Sequence, residues 1–153
     1  MHFGTLISTP LFVEADLDPS LHRTITMAHV RDVKRLYLSG NPLATSFPSE
    51  KFYNLTYLEL AMCRLESLPA DFASVVPNVR VLNLDYNFIQ DVSPLSGLAR
   101  LAKLSLVGAR IAKARPLAAV VASLTELESI DMRCVPPRLR RAADAVTDSA
   151  VAL

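Results

Sequence analysis

The feature that most constrains this chain is a hydrophobic ruler that matches neither helix nor simple strand periodicity. In VRVLNLDYNFI, Val79, Leu82, Leu84, Asn87 and Ile89 fall at offsets of 0, 3, 5, 8 and 10; Leu101, Leu104 and Leu106 restart the pattern 22 residues later. Self-similarity at such a period marks a chain of stacked supersecondary units. The template LxxLxLxxNxL, with Cys also accepted at the Asn position, fits residues 33–43 (VKRLYLSGNPL), 55–65 (LTYLELAMCRL), 79–89 and 101–111 (LAKLSLVGARI). A fifth copy begins at Leu127 (LESIDMRCV) and stops at Pro136-Pro137, so the starts lie 22, 24, 22 and 26 residues apart.

This is the length and wording of leucine-rich repeats, and the spacing has a physical reason. Strand side chains alternate, so the residues three and five places into each motif share a face. Leu36/Leu38, Leu58/Leu60, Leu82/Leu84, Leu104/Leu106 and Ile130/Met132 then form one inner wall. No coil buries its own leucines, so each must stack on its neighbours. The predicted fold is an α/β repeat: a leucine-rich-repeat solenoid with a short parallel sheet on its concave face and 3₁₀ or α segments on its convex face. Residues 1–32 read as an N-terminal cap or degenerate first repeat, 33–135 as five repeats and 136–153 as a C-terminal capping helix.

The returning segments differ. Ile89, Val92, Leu95, Leu98 and Leu101 recur every third residue, as in a tight 3₁₀-like back. LPADFASVVPNV places Pro69 at a helix start and Pro77 at its stop, with Phe72, Val75, Val76 and Val79 inward. RPLAAVVASLTEL aligns Leu117, Val120, Val121 and Leu124 on one helical stripe.

The turn column consists of Asn41, Cys63 and Asn87, followed by Ala109 and Val135. An Asn amide bonds the backbone at the bend, cysteine does so weakly, and alanine and valine do not. A looser turn is therefore expected at Ala109, and an end of the solenoid just beyond Met132. Cys63 and Cys134 lie three coils apart, about 14 Å on strand spacing, too far for a disulfide.

Composition narrows the function. Net charge is +1, with one basic cluster at Arg138, Arg140 and Arg141, so no global field draws nucleic acid. No apolar run approaches a membrane span, and the N-terminus makes a poor secretory signal. The chain therefore reads as intracellular, and Asn54-Leu55-Thr56 as a chance sequon. The four glycines (Gly4, Gly40, Gly97, Gly108) lie in no phosphate loop, and His2, His22 and His29 form no metal-ligand spacing. No catalytic, cofactor-binding or metal-binding residue emerges; the protein reads as a binder, not an enzyme.

Residues between the inward leucines project onto the concave face in three columns: Arg35, Tyr57, Val81, Lys103, Ser129; Tyr37, Glu59, Asn83, Ser105, Asp131; and Ser39, Ala61, Asp85, Val107, Arg133. Met62 and Tyr86 follow just beyond the strands. Tyrosine and arginine anchor interfaces more often than most residues. The candidate protein-binding face is Arg35, Tyr37, Tyr57, Glu59, Met62, Asn83, Asp85 and Tyr86, with the tyrosines and Met62 as an apolar patch flanked by charge.

The wording of the repeats is more specific than their consensus. LELAMCRLESLPADF (58–72), PNVRVLNLDYN (77–87), LSLVGARI (104–111) and LESIDMR (127–133) resemble the leucine-rich-repeat domain of the fungal spindle-pole-body scaffolds of the septation-initiation, or mitotic-exit, network, the relatives of animal centriolin. Ala109 and Cys134-Val135 depart from that pattern. The resemblance implies a hub at the spindle pole whose partners include a two-component GTPase-activating complex and downstream kinases. Those scaffolds are much larger, so it also implies that this chain corresponds to the repeat domain alone. Thr9-Pro10 and Ser93-Pro94 match the minimal proline-directed phosphorylation site. The alternatives are a generic adaptor, such as a phosphatase-regulatory subunit, or an RNA-processing repeat protein. The latter requires a basic concave stripe, whereas these columns mix Arg35, Lys103 and Arg133 with Glu59, Asp85 and Asp131.

Overall fold

In the computed structural model the described residues are 14–15, 32–41, 43 and 51–151. Five short strands, β2 (Arg35–Tyr37), β3 (Tyr57–Glu59), β4 (Val81–Asn83), β5 (Lys103–Ser105) and β6 (Ser129–Asp131), stack in parallel and in sequence order. Leu36, Leu58, Leu82, Leu104 and Ile130 stand in line across the ladder. Before them β1 (Glu14–Ala15) pairs with β2 antiparallel and occupies the N-terminal edge of the sheet. The remainder of residues 1–31 lies outside the described residues, as does the expectation attached to it, and the same holds for Thr9.

The inner wall is dry. Leu36, Leu38, Leu58, Leu60, Leu84 and Leu106 are fully buried, and the single hydrophobic core runs from Val33 to Ala143. Each leucine buried against the next coil contributes about 1.5–3 kcal/mol. The innermost position weakens at Ile130, which is partly exposed: among the described residues no strand follows β6.

The convex side carries α1 (Phe72–Val75), a 3₁₀ turn (Ser93–Leu95), α2 (Ala114–Ser123) and α3 (Pro137–Val151). The stripes at Phe72/Val75/Val76/Val79, Ile89/Val92/Leu95/Leu98 and Leu117/Val120/Val121/Leu124 all face the core. Helix α1 starts later than the sequence suggested. Pro69 sits in a preceding turn whose carbonyl accepts from the Phe72 N–H at 3.0 Å, so the proline opens the turn rather than the helix. Pro77 does follow the helix end. Helix α3 packs against α2, with Leu139 and Ala143 buried.

The turn column shows how neighbouring coils are pinned. Asn87 is 1% exposed and makes its bonds in two directions. Its Nδ2 donates to Leu60 O (2.8 Å) and Leu84 O (2.9 Å), while its Oδ1 accepts from the N–H groups of Cys63 (3.1 Å) and Leu65 (3.0 Å). Cys63 supplies the donor half alone: its Sγ donates to Leu38 O at 3.1 Å, and its backbone carbonyl, not a side chain, accepts from the Leu43 N–H at 2.9 Å. At Ala109 the turn is closed by main chain only, Ala109 N–H to Leu106 O at 3.1 Å and Gly108 N–H to Arg133 O at 3.0 Å.

Replacing Asn87 by alanine strands several buried backbone groups and is expected to cost about 3 kcal/mol, read as a lower thermal midpoint. Ala109→Asn restores the missing amide and is expected to gain about 1 kcal/mol. In the wild type, amide hydrogens of the Ala109 turn should exchange faster than those of the Asn87 turn.

Candidate protein-binding face

The outward residues of the first strands form a connected layer. The rings of Tyr37 and Tyr57 lie 5.0 Å apart at 39°, a tilted pair worth about 1 kcal/mol. The Arg35 guanidinium stands 6.0 Å from the Tyr57 ring centre. The Tyr57 hydroxyl donates to Glu59 Oε2 (3.0 Å), and Ser39 Oγ donates to Glu59 Oε1 (2.8 Å). Burial, and then this hydrogen bond to a carboxylate, holds the Tyr57 hydroxyl above the usual phenol range.

One register further on, Asp85 plays the same part. Its Oδ1 accepts from Ser105 Oγ (2.6 Å) and from the Val107 N–H (2.8 Å), while Asn83 Oδ1 accepts from the Asp85 N–H (2.9 Å). Glu59 and Asp85 are thus held by hydroxyl and amide donors. At the far end Asp131 is bound instead by Arg133, 2.9 Å away, and that bond lowers its carboxyl below the usual range.

Met62 and Tyr86 do not join the ring pair. They stand at the residue before the turn column, where all five coils take a left-handed backbone: Gly40 (φ 79°), Met62 (55°), Tyr86 (55°), Gly108 (68°) and Cys134 (65°). Glycine enters this region freely, whereas other residues pay roughly 1–2 kcal/mol. Met62 and Tyr86 are nevertheless large, apolar and each 58% exposed. Gly108 makes room for its neighbour: a methyl group there would lie 2.9 Å from Tyr86 Cδ1, so the ring rests across the glycine.

Two positions expected to project outward are instead buried, Ala61 at 8% and Val107 at 5%. Ser39 and Asp85 stand at the same place in the preceding coils and accept from the Ala61 and Val107 N–H groups (3.2 and 2.8 Å), so these two small apolar residues lie beneath polar side chains of their neighbours. Of the proposed face, Arg35, Met62 and Tyr86 are exposed, and Tyr37, Tyr57, Glu59, Asn83 and Asp85 are half-buried. Sequence reasoning passed over Phe88, 37% exposed, whose ring lies 4.3 Å from the Arg110 guanidinium; the motif offers no signal for that pair, since both positions are variable. Ser93 Oγ donates to Asp91 at 2.6 Å, and this bond lowers the Asp91 carboxyl. A phosphate on Ser93 would face that carboxylate.

Among the described residues no helix is long and apolar enough to cross a membrane, and no group of three or more His, Cys, Asp and Glu residues is placed to hold a metal ion.

Coils pinned by a turn column beneath an outward sheet face define the class: the chain belongs to the leucine-rich-repeat proteins, and residues 53–111 match the family described as "Leucine rich repeat". More particularly, it is related to the Septation initiation network scaffold protein cdc11 of Schizosaccharomyces pombe, with 40% identity over 105 residues, 69% of this chain and 10% of that protein. Leucine-rich repeat-containing G-protein coupled receptor 5 of Rattus norvegicus is 34% identical over 79 residues, 51% of this chain and 9% of the receptor. The chain thus spans about a tenth of the length of these curated relatives. Among solved structures, a chain of the Drosophila melanogaster SNF/U2A' complex superposes with a TM-score of 0.62 at 19% identity, covering 92% of this chain and 94% of that one. An internalin (inlF) from Listeria monocytogenes superposes with a TM-score of 0.55 at 21% identity, covering 74% of this chain and 38% of that one. These two likenesses concern the fold.

Two outcomes follow for the side chains. Met62→Gly and Tyr86→Gly relieve a strained backbone, so each should leave folding stability within about 1 kcal/mol of wild type, measured by chemical denaturation. Both cysteines are free, Cys63 buried and Cys134 exposed, and burial pushes the Cys63 thiol from 9.0 up to about 11. At pH 8 a thiol reagent should therefore modify Cys134 alone. The stability that the neutral Cys63 thiol contributes is fully present below pH 9 and is lost as pH rises toward about 11.

Proposed function

We propose that this chain is a non-catalytic protein-binding module of a septation-network scaffold, acting at the spindle pole body and binding through the open face of its sheet. The observation that carries the reading is the pair Met62 and Tyr86, apolar and exposed at a position where glycine would fold more easily. Residues kept against local backbone preference concentrate at functional sites, and Tyr and Met are enriched at protein interfaces. The relationship to cdc11 supports the network, since that protein is named as its scaffold. The partners this reading assigns are the network's GTPase-activating complex and kinases. The outward carboxylates Glu59 and Asp85 favour a partner surface that brings basic side chains to the centre of the face and an apolar anchor to Met62 and Tyr86.

The test is affinity capture from extracts of dividing Schizosaccharomyces pombe, with bound proteins identified by mass spectrometry. Wild type should recover septation-network components, and the Met62→Gly/Tyr86→Gly variant at least tenfold less of them. Equal recovery by both would move the site off this face. Recovery of phosphatase or splicing complexes instead would overturn the assignment to the network.

A further inference from the structure

Three exposed residues form a row just past the turn column. Arg64, Phe88 and Arg110 each follow the turn residue of their coil (Cys63, Asn87 and Ala109) and hold one position on three successive coils. The first two coils are tied together here. The Phe88 N–H donates to Leu65 O at 2.8 Å, and Asn87 Oδ1 accepts from the N–H groups of Cys63 and Leu65, on either side of Arg64. The guanidinium of Arg110 lies over the Phe88 ring, 4.3 Å from its centre, and Phe88 is 37% exposed. Two strand spacings put the backbones of Arg64 and Arg110 about 10 Å apart, with Phe88 on the coil between them.

The two arginines are set up by different means. Arg64 has a left-handed backbone (φ 57°), which turns the N–H groups on both of its sides toward the same Asn87 oxygen. Glycine enters that region freely and arginine does not, so local backbone preference argues against a long cationic side chain at this position. Residues held in sparsely populated backbone regions concentrate at ligand clamps. Arg110 is oriented by the ring beneath it: stacking fixes the plane of the guanidinium, so less freedom is lost when its fork meets an anion. Of the carboxylates close by in the chain, Asp91 accepts from Ser93 Oγ, and Glu66 is exposed two residues beyond Arg64.

We propose that the row Arg64–Phe88–Arg110 binds the phosphate of a phosphorylated serine or threonine in a segment of a partner protein. A single guanidinium fork satisfies a carboxylate, whereas a phosphate brings about two charges and three acceptor oxygens, enough for a fork from each side. Arg64 and Arg110 close on the phosphate from the two flanking coils. The exposed ring of Phe88 between them carries the apolar part of the phosphorylated residue and its neighbours. Arginine clusters are a recurring means of reading phosphorylated segments. The row lies beside the Met62–Tyr86 pair, but the proposal goes beyond the function given above and does not depend on what that face binds.

The test immobilises the full chain and passes over it three peptide libraries, degenerate at the flanking positions and differing only in a fixed central residue: phosphoserine, serine or glutamate. Retained peptide is quantified by mass spectrometry. The phosphoserine library should be retained at least tenfold over the serine library and at least threefold over the glutamate library. Arg64→Gln and Arg110→Gln should each lower its retention at least fivefold with the thermal midpoint unchanged, and Arg110→Lys, which keeps the charge but not the fork, should not restore it. Arg115→Gln, on the convex helix α2, and the Met62→Gly/Tyr86→Gly variant should retain the library as wild type does. Equal retention of the serine library would overturn the proposal, and equal retention of the glutamate library would make the row a carboxylate site and overturn the phosphate assignment. Undiminished retention by Arg64→Gln or Arg110→Gln would place the phosphate elsewhere. A loss with Arg115→Gln as large as with Arg110→Gln would reduce binding to net charge, and a loss confined to Met62→Gly/Tyr86→Gly would move it to the sheet face; either contradicts the site.

Discussion

No coil of this protein can bury its own leucines, and everything else in the structure answers that constraint. Leu82 and Leu84 are dry only because the coils before and after them supply the other walls. Stacking at strand spacing brings polar backbone into the same dry interior, and Asn87 resolves the conflict by bonding two carbonyls and two N–H groups from adjacent coils. Burial of leucine and satisfaction of the turn are therefore one event. Unmet backbone groups would cost what the leucines gain. Where the column degrades, from cysteine to alanine to valine, the pinning passes to sulfur and then to main chain alone.

The same turn geometry connects fold to function. Bringing the chain off the strand and over the wall requires a left-handed residue in each coil, and the solenoid repeats that requirement at positions 40, 62, 86, 108 and 134. Glycine meets it at two of them. Methionine and tyrosine occupy the second and third, pointing large apolar groups at solvent beside the hydrogen-bonded Glu59 and Asp85. Folding alone gives no reason for that choice; the proposed recognition of another protein would supply one.

Much of this was legible in the sequence, because a fixed offset pattern determines which side chains share a face. The inner wall, the convex stripes and the bond-making role of Cys63 all follow from spacing and side-chain chemistry. What was not legible depended on contacts between coils. Ala61 and Val107 share a row with Ser39 and Asp85, and it is the hydroxyl and carboxylate of those preceding residues, bonded to their N–H groups, that leave them little exposed. Pro69 was given to a helix when its carbonyl closes a separate turn before it. The left-handed column had left a trace, glycine at 40 and 108, but its significance appears only when Met62 and Tyr86 share the same backbone angles. The partial exposure of Ile130 belongs to the edge of the described sheet, which a motif repeated equally in every coil does not encode.

The proposed partner site is the open face beside the strained turn column. Site-specific photo-crosslinking tests it most directly. A benzophenone amino acid replaces Tyr86 in one chain and Arg115, exposed on the convex helix α2, in another. Both chains are then irradiated in dividing Schizosaccharomyces pombe cells. Covalent adducts with septation-network proteins from position 86, and none from position 115, are the expected result. Adducts from position 115 with none from position 86 would contradict the account and assign recognition to the convex side.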